Sequence, residues 1–402
     1  MKRLIIYNDY AYISGGAGKV AFDSAIAFAK NGYDVTFFSG TGPESPLLEK
    51  NNIKSICLHQ PDMLSDKNKI GAAIRSIWNR KAYKKTLSLL KEYDYNDTAI
   101  IVHGFSKTLS TSIFAAFKKT KFKVFLTLHD YFAACPNGGF YNYQEQKSCQ
   151  LVPMSYTCLR CNCDARSYAQ KIYRYIRQIF VRYNLKGNKM NMHALCVSDN
   201  SRSLMEPFVK DFFSSYNVLI NPVDIYQGDY VNIIDNDYYL FVGRLSEEKG
   251  IRDFCRVITE LNLKGVVLGE GYLMEEMKLS YPNIVFKGWC NDEQKEKSIK
   301  QAKCLIFPSK IHETFGLSVA ELLSYGIPCV VSEGLGCTAL IYHKQNGLVF
   351  QMGNYIALKH CICEFESMDL RNLMDSTRNS FDRSYYTIDN YVKRFKKIVC
   401  SV

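Results

Sequence analysis

No stretch of this 402-residue chain approaches the about 18 uninterrupted apolar residues that a membrane-spanning helix requires, so a bilayer-crossing protein is not expected. Low-complexity tracts and internal repeats are absent, which argues against disordered, fibrous and solenoid architectures. The opening Met1–Tyr7 runs straight into a strand-like segment with no long apolar h-region and no small-residue cleavage site, so no signal peptide is expected there. Acidic residues are absent from one place: Ala165–Met190 holds Arg166, Lys171, Arg174, Arg177, Arg182, Lys186 and Lys189 with no Asp or Glu.

With 47% apolar and 22% charged residues the composition is that of a globular protein, and the length calls for two domains rather than one core. The net charge of +12 is unevenly placed. Residues 222–402 are close to neutral, so the excess lies in the first half, which implies an anionic partner there such as a membrane surface, a lipid phosphate or nucleic acid. Fifteen cysteines without an export signal imply reduced thiols. Five of them, Cys135, Cys149, Cys158, Cys161 and Cys163, cluster after His129, and thiolates so spaced can close a structural zinc site or remain free.

The first forty residues read as strand (Leu4–Tyr7), glycine loop (Gly15-Gly16-Ala17-Gly18), helix and strand (Asp34–Ser39), a βαβ unit that builds a parallel sheet. Ala99–His103, Lys123–Leu128 and Ala194–Ser198 continue the series. After the turn-rich Asn221–Asp224, a second series comprises Tyr239–Val242, Gly265–Leu268, Ile284–Phe286, Leu305–Pro308 and Pro328–Ser332. The expected fold is α/β: two Rossmann-like parallel-sheet domains facing across a cleft. Residues 1–221 form the first, with a cysteine-rich insertion at about 131–165, and 222–384 the second. Apolar residues at helical spacing near the end predict a helix, about 385–402, that returns to the first domain.

Gly243-Arg244-Leu245-Ser246-Glu247-Glu248-Lys249-Gly250 follows a strand, where open α/β sheets bind ligands. Arg244 offers a planar fork and Lys249 a compact charge for a diphosphate. In the second element, a strand leads to His312, Glu313, Thr314, Phe315 and Gly316, and a helix starts at Leu317–Ser318. Free N–H groups at such a start attract phosphate. Glu321, read as lying on the first turn, can hold vicinal hydroxyls, and Glu313 can bind a transferred group. Gly18-Lys19 lacks the Ser/Thr of a P-loop, which disfavours a kinase or ATPase.

These segments resemble glycosyltransferase family 4, the glycosyl transferases group 1 of two-Rossmann-domain GT-B type, in the pattern G-R-x4-K-G followed by Glu-x7-Glu. The resemblance spans nearly the whole chain. It implies a retaining hexosyltransferase using a nucleotide-diphosphate sugar, with Arg244 and Lys249 on the diphosphate and Glu321 on the ribose. Glu313 would contact the donor sugar, with Thr314, Phe315, Gly316 and Leu317 beside it, while Gly269-Glu270-Gly271 and Trp289 would lie by the base. Gly15 and Gly16 match the family's glycine loop, and His129, followed by Asp130, matches a His that contacts the reacting sugar. The expected catalytic set is thus His129, Glu313, Arg244 and Lys249; His103, Gly104 and Asp130 are acceptor-site candidates. No cofactor is expected for catalysis. The expected partners are the nucleotide sugar, a saccharide or lipid-linked acceptor and the anionic inner membrane surface, without nucleic acid, in a cytoplasmic, peripheral protein of cell-surface polysaccharide biosynthesis (lipopolysaccharide, capsule or exopolysaccharide). The alternatives are a nucleotide-sugar epimerase of the same fold, a basic nucleic-acid-binding protein with a structural metal, and a non-catalytic scaffold.

Overall fold

The computed structural model describes residues 1–63, 65–186 and 192–402; Lys189 of the basic segment lies outside them. In chain order the strands are β1 (Arg3–Tyr10), β2 (Asp34–Thr41), β3 (Lys54–Cys57), β4 (Thr98–Val102), β5 (Lys123–Leu128), β6 (Tyr141–Asn142), β7 (Lys147–Ser148), β8 (Met192–Cys196) and β9 (Ser215–Val218). There follow β10 (Tyr238–Val242), β11 (Lys264–Leu268), β12 (Ile284–Gly288), β13 (Ala302–Phe307), β14 (Cys329–Ser332) and β15 (Gly347–Phe350).

Two α/β units result. Met1–Gly139, Leu151–Pro222 and Ile388–Val402 form the first, and Phe140–Gln150 with Val223–Thr387 the second. The first holds a parallel sheet in the order β3-β2-β1-β4-β5-β8-β9, the second one in the order β12-β11-β10-β13-β14-β15. Both are Rossmann-like, as the sequence pattern implies. Their central strands are nearly continuous apolar runs, such as Leu4-Ile5-Ile6-Tyr7 and Tyr239-Leu240-Phe241, because helices cover both faces of a parallel sheet. In each sheet the chain winds outward to one side and then restarts on the other, between β1 and β4 and between β10 and β13. At such switch points the loops leaving the carboxyl ends of neighbouring strands diverge and leave room for a ligand.

The C-terminal helix Ile388–Ser401 returns to the first unit as expected. Its Tyr391, Val392 and Phe395 are buried against the helix Gly15–Lys30, with Phe395 5.0 Å from Phe28 and 5.2 Å from Phe125 between ring centroids.

Three details differ from the sequence reading. The helix begins at Gly15, so Gly15-Gly16-Ala17-Gly18 is its first turn, exposed at Gly15–Ala17 and buried at Gly18, and not a loop before it. Gly15 has φ of 72°, which only glycine enters readily, and this lets the chain turn sharply from Ser14 into the helix. Strands β3, β9 and β15 were not expected. The first two are half-buried edge strands of mixed polarity, so they lack a periodic signature. Phe140–Gln150 groups with the second unit although it lies inside the cysteine-rich insertion: its β6–β7 hairpin donates from Ser148 Oγ to Met352 Sδ at 3.2 Å.

Replacing Phe395 by Ala should cost about 3–5 kcal/mol of stability through the cavity left between Phe28 and Phe125. Urea unfolding checks this, with Lys396→Ala on the exposed face staying within about 0.5 kcal/mol.

Candidate functional site

In the second unit the loop after β10 is built by close backbone contacts. Gly243 N–H donates to Leu268 O at 3.0 Å and Leu245 N–H to Glu270 O at 2.9 Å, joining this loop to the one after β11. Gly269 N–H in turn donates to Gly288 O at 2.8 Å, and Trp289 N–H to Glu270 Oε1 at 3.3 Å. Residues 243–245, 269–271 and 288–289 therefore line up along the carboxyl ends of three neighbouring strands, with the Trp289 side chain 77% exposed. A Cβ on Gly271 would stand 2.1 Å from Leu245 O, so glycine is needed there for the approach of two loops, whatever else the loop contacts.

A 3₁₀ turn, Glu247–Lys249, follows, and Gly250 ends it in the left-handed region at φ 73° before the helix Ile251–Glu260. A Cβ at Gly250 would lie 2.0 Å from Pro308 O, the residue that leaves β13. That contact brings two loops of distant sequence together. Lys310 N–H donates to Glu248 O at 2.8 Å, Lys249 pairs with Glu313, and Ser309 Oγ donates to Glu313 Oε1 at 3.1 Å. Arg244 pairs with the buried carboxylate of Glu248 at 2.9 Å while most of its side chain stays in solvent. Gly316, at φ 89°, caps the helix Leu317–Ser324, and a Cβ on it would come within 2.7 Å of Cys337. Gly336 N–H donates to Glu313 O at 2.8 Å.

The structure thus brings Gly243, Arg244, Lys249, Glu313, Thr314, Phe315, Gly316 and Leu317 to the switch point between β10 and β13. Glu321 is the fifth residue of its helix and so stands one turn further along than the sequence reading had it. Its carboxylate meets Lys295 Nζ at 2.5 Å. Lys295, Ser309 and the Gly334-Leu335-Gly336-Cys337 loop were missed by the sequence reading. Lys295 lies in a charged helix, Asp292–Lys300, that resembles any solvated face, and its partner is 26 residues away. A glycine pair directly after β14 was the available signal for the last.

In the first unit, His103 and His129 leave β4 and β5, adjacent parallel strands, and their rings stack with His103 Nδ1 2.9 Å from His129 Nε2. His103 is buried, and Ser24 Oγ lies 3.1 Å from its Nε2. Ser24 gives its proton to Ala21 O at 3.0 Å, so its oxygen is left to accept from His103 Nε2–H. The chain of bonds then makes His103 Nδ1 the acceptor of His129 Nε2–H and puts the lone pair of His129 on Nδ1. Desolvation pulls the His129 pKa down to about 4, and desolvation with the neighbouring His129 ring pulls that of His103 well below the ordinary value. Both rings are neutral at pH 7. His103 is therefore behind His129 and not a surface group for an acceptor, which corrects the expectation. A Cβ on Gly104 would crowd Asn8 Oδ1 at 2.8 Å and Asp9 N at 3.2 Å. Asp130, exposed, caps the next turn by accepting from Phe132 N–H at 2.9 Å. Asp9, which the sequence reading passed over, holds the 107–109 backbone by accepting from Lys107, Thr108 and Leu109 N–H at 2.8–3.0 Å.

The zinc expectation is not met. Among the described residues no group of three or more His, Cys, Asp or Glu side chains is arranged to hold a metal ion. Cys149 sits in the second unit and the other four in the first. Cys158 and Cys163 converge on the Lys171 ammonium, so a cation already occupies the place between their sulfurs.

Residues 231–382 match the model of the family described as glycosyl transferases group 1. The matched residues lie within the second unit. An uncharacterized glycosyltransferase of Methanocaldococcus jannaschii is 33% identical over 28% of this chain and 32% of its own length. The Escherichia coli UDP-Gal:alpha-D-GlcNAc-diphosphoundecaprenol alpha-1,3-galactosyltransferase is 26% identical over 40% of this chain and 43% of its own. The chain spans less than half the length of these relatives. Among solved structures, Anabaena Alr3699/HepE in complex with UDP superposes with a TM-score of 0.68 at 14% identity, covering 100% of both chains. The two-Rossmann-unit fold of this chain is therefore the GT-B fold, and the switch-point residues 243–321 all fall inside the matched domain.

Two outcomes test this geometry. Gly250→Ala should lower the melting temperature, since the turn cannot approach Pro308; differential scanning fluorimetry reads this. For the histidine pair, the folded pKa lies below the unfolded value of about 6.5, so the unfolded state binds more protons between these values. Stability should accordingly hold above about pH 6.5 and fall as the pH drops towards 4, and His129→Gln should flatten that slope in urea titrations at stepped pH.

Proposed function

We propose that this protein is a retaining glycosyltransferase that moves a sugar from a nucleotide-diphosphate sugar to a saccharide or lipid-linked acceptor in cell-surface polysaccharide assembly. The observation that carries this reading is the convergence of Arg244, Lys249, Glu313 and the Gly316 helix start at one switch point. Arg244 and Lys249 supply two cations for the diphosphate, and the first N–H groups of Leu317–Ser324 supply a positive helix end, so the leaving group's charge is stabilised by fixed protein dipoles. No further cofactor is needed in this scheme. Glu321, positioned by Lys295, takes the ribose diol, and Glu313 takes the donor sugar. Gly269-Glu270-Gly271 and Trp289 border the base. His129 accepts a hydrogen bond from a sugar hydroxyl through Nδ1. The leaving phosphate deprotonates the acceptor on the face from which it departs, so the anomeric configuration is kept.

The acceptor side of the reading rests on an inverted helix. Tyr168–Lys186 turns Lys171, Arg177, Gln178 and Asn184 inward and exposes Ile176, Ile179, Phe180 and Tyr183. Two of its charges, on Lys171 and Arg177, are thereby turned away from solvent. It packs with the helix Lys69–Ile77, which exposes Ile70 (77%) and Ile74 (61%), and Trp78 follows. Exposed Lys69, Arg80, Lys81, Lys84, Lys85, Arg166 and Lys186 accompany these apolar residues. Such a surface fits an anionic membrane, each cation near it contributing about 1 kcal/mol. Among the described residues no helix is long and apolar enough to cross a bilayer, and the placement proposed is peripheral, on the cytoplasmic face.

Thermal-shift screening against UDP-, GDP- and ADP-sugars should single out one base, with about 2.7 kcal/mol of added stability at 100 times its dissociation constant. With that donor, Lys249→Ala or Glu321→Ala should lower transfer at least a hundredfold with the fold intact by circular dichroism. Product NMR should show the donor's anomeric configuration. Full turnover in these variants would sink the assignment, and conversion of the donor with no acceptor present would favour the epimerase reading.

A further inference from the structure

Three side chains that the proposed transfer does not use meet in the first unit. Lys171, on the helix Tyr168–Lys186, is 1% exposed, and its Nζ lies 3.2 Å from Cys163 Sγ and 3.4 Å from Cys158 Sγ. Both thiols are buried. An ammonium so deeply buried is ordinarily matched by a carboxylate. Here no carboxylate pairs with it among the described residues, and the buried Asp164 pairs instead with Arg174 at 2.8 Å. Cys163 is held from its other side as well. Asn137 Nδ2 donates to Cys163 O at 2.7 Å and lies 3.8 Å from its sulfur, and Arg174 fixes Asn137 Oδ1 at 2.8 Å. An amine and a thiol are thus kept in contact by neighbours that restrain both.

We propose that Cys163 and Lys171 are an oxidation site at which a peroxide creates a covalent sulfur–nitrogen link. The sulfur of Cys163 attacks one peroxide oxygen; the O–O bond breaks, sulfur gives up two electrons, and the other oxygen leaves as water with the thiol proton. The resulting sulfenic acid faces Lys171, an ammonium that burial disfavours and the two sulfurs stabilise; oxidation of one sulfur removes part of that support, and the extra proton is released. The amine nitrogen attacks sulfur, the S–N bond forms as the S–O bond breaks, and the hydroxyl leaves as water with an amine proton. In total one thiol, one neutral amine and one hydrogen peroxide give a sulfenamide and two waters. Sulfenic acids are known to condense with nitrogen as well as with thiols, and contact decides between them. The shorter distance and the Asn137 anchor select Cys163 over Cys158. The link fastens the Cys163 segment to a helix whose Gln178 donates to Phe132 O at 2.8 Å and Ala133 O at 3.1 Å, so it bears on the loop that follows His129.

The test treats the full chain with equimolar hydrogen peroxide, alkylates without reductant, and maps the peptides by mass spectrometry. The expected result is a loss of two hydrogens, one fewer alkylated thiol, no tryptic cleavage after Lys171 and a joined Cys163–Lys171 peptide, all reversed by dithiothreitol. Cys158→Ser should keep the joined peptide. Lys171→Met should abolish it, and Cys163→Ser does the same should the first variant fail to fold. A Cys158–Cys163 disulfide, with two thiols lost, would overturn the proposal. So would passage of Cys163 to the sulfinic acid while trypsin still cuts after Lys171.

Discussion

The second unit's site depends on one backbone contact. Gly250 has no side chain, and for that reason the turn carrying Lys249 can rest on Pro308 O. From this approach follow the hydrogen bond from Lys310 to Glu248 O, the pairing of Lys249 with Glu313 and the anchoring of Glu313 by Ser309. Two loops separated by about sixty residues become one rigid surface at the switch point of the sheet. An added methyl would separate them, because hard-sphere contact between Cβ and a carbonyl oxygen at such range cannot be relaxed without moving a strand. The electrostatics of the site are therefore a consequence of a steric permission.

The first unit shows a different economy of charge. Its basic helix does not place its cations uniformly in water: Lys171 and Arg177 go inward, where sulfur, backbone carbonyls and the Phe132 ring receive them. The apolar residues that would ordinarily fill those positions face out. Burying ionic groups while exposing Ile and Phe is costly in water, and the proposed membrane face is where the exposed apolar area would be repaid. The same inversion brings a buried amine against thiols, so the proposed membrane face and the proposed oxidation site share one cause.

Much of the fold was legible because parallel strands covered on both faces must be apolar throughout. Leu4–Tyr7, Lys123–Leu128 and Tyr239–Val242 stand out from any single sequence for that reason. The C-terminal helix was legible from the spacing of Tyr391, Phe395 and Ile398. The edge strands β3 and β9 were not, since half-buried residues need no pattern. The start of the first helix was misplaced because a glycine run looks like a loop until its dihedrals are known.

For the site, residue types alone indicated a diphosphate grip: Arg244, Lys249, Gly316, Glu313 and Glu321 carry their chemistry wherever the chain puts them, and their positions after strands place them at the carboxyl edge of a sheet. Only the tertiary structure decided their partners. Lys295 on Glu321, Ser24 and His103 behind His129, and Lys171 between two thiols are contacts made over 26, 79 and as few as 8 residues. Local spacing does not encode them. They arise when helices and strands pack, because packing, and not sequence separation, determines which polar groups lose water together and must satisfy one another.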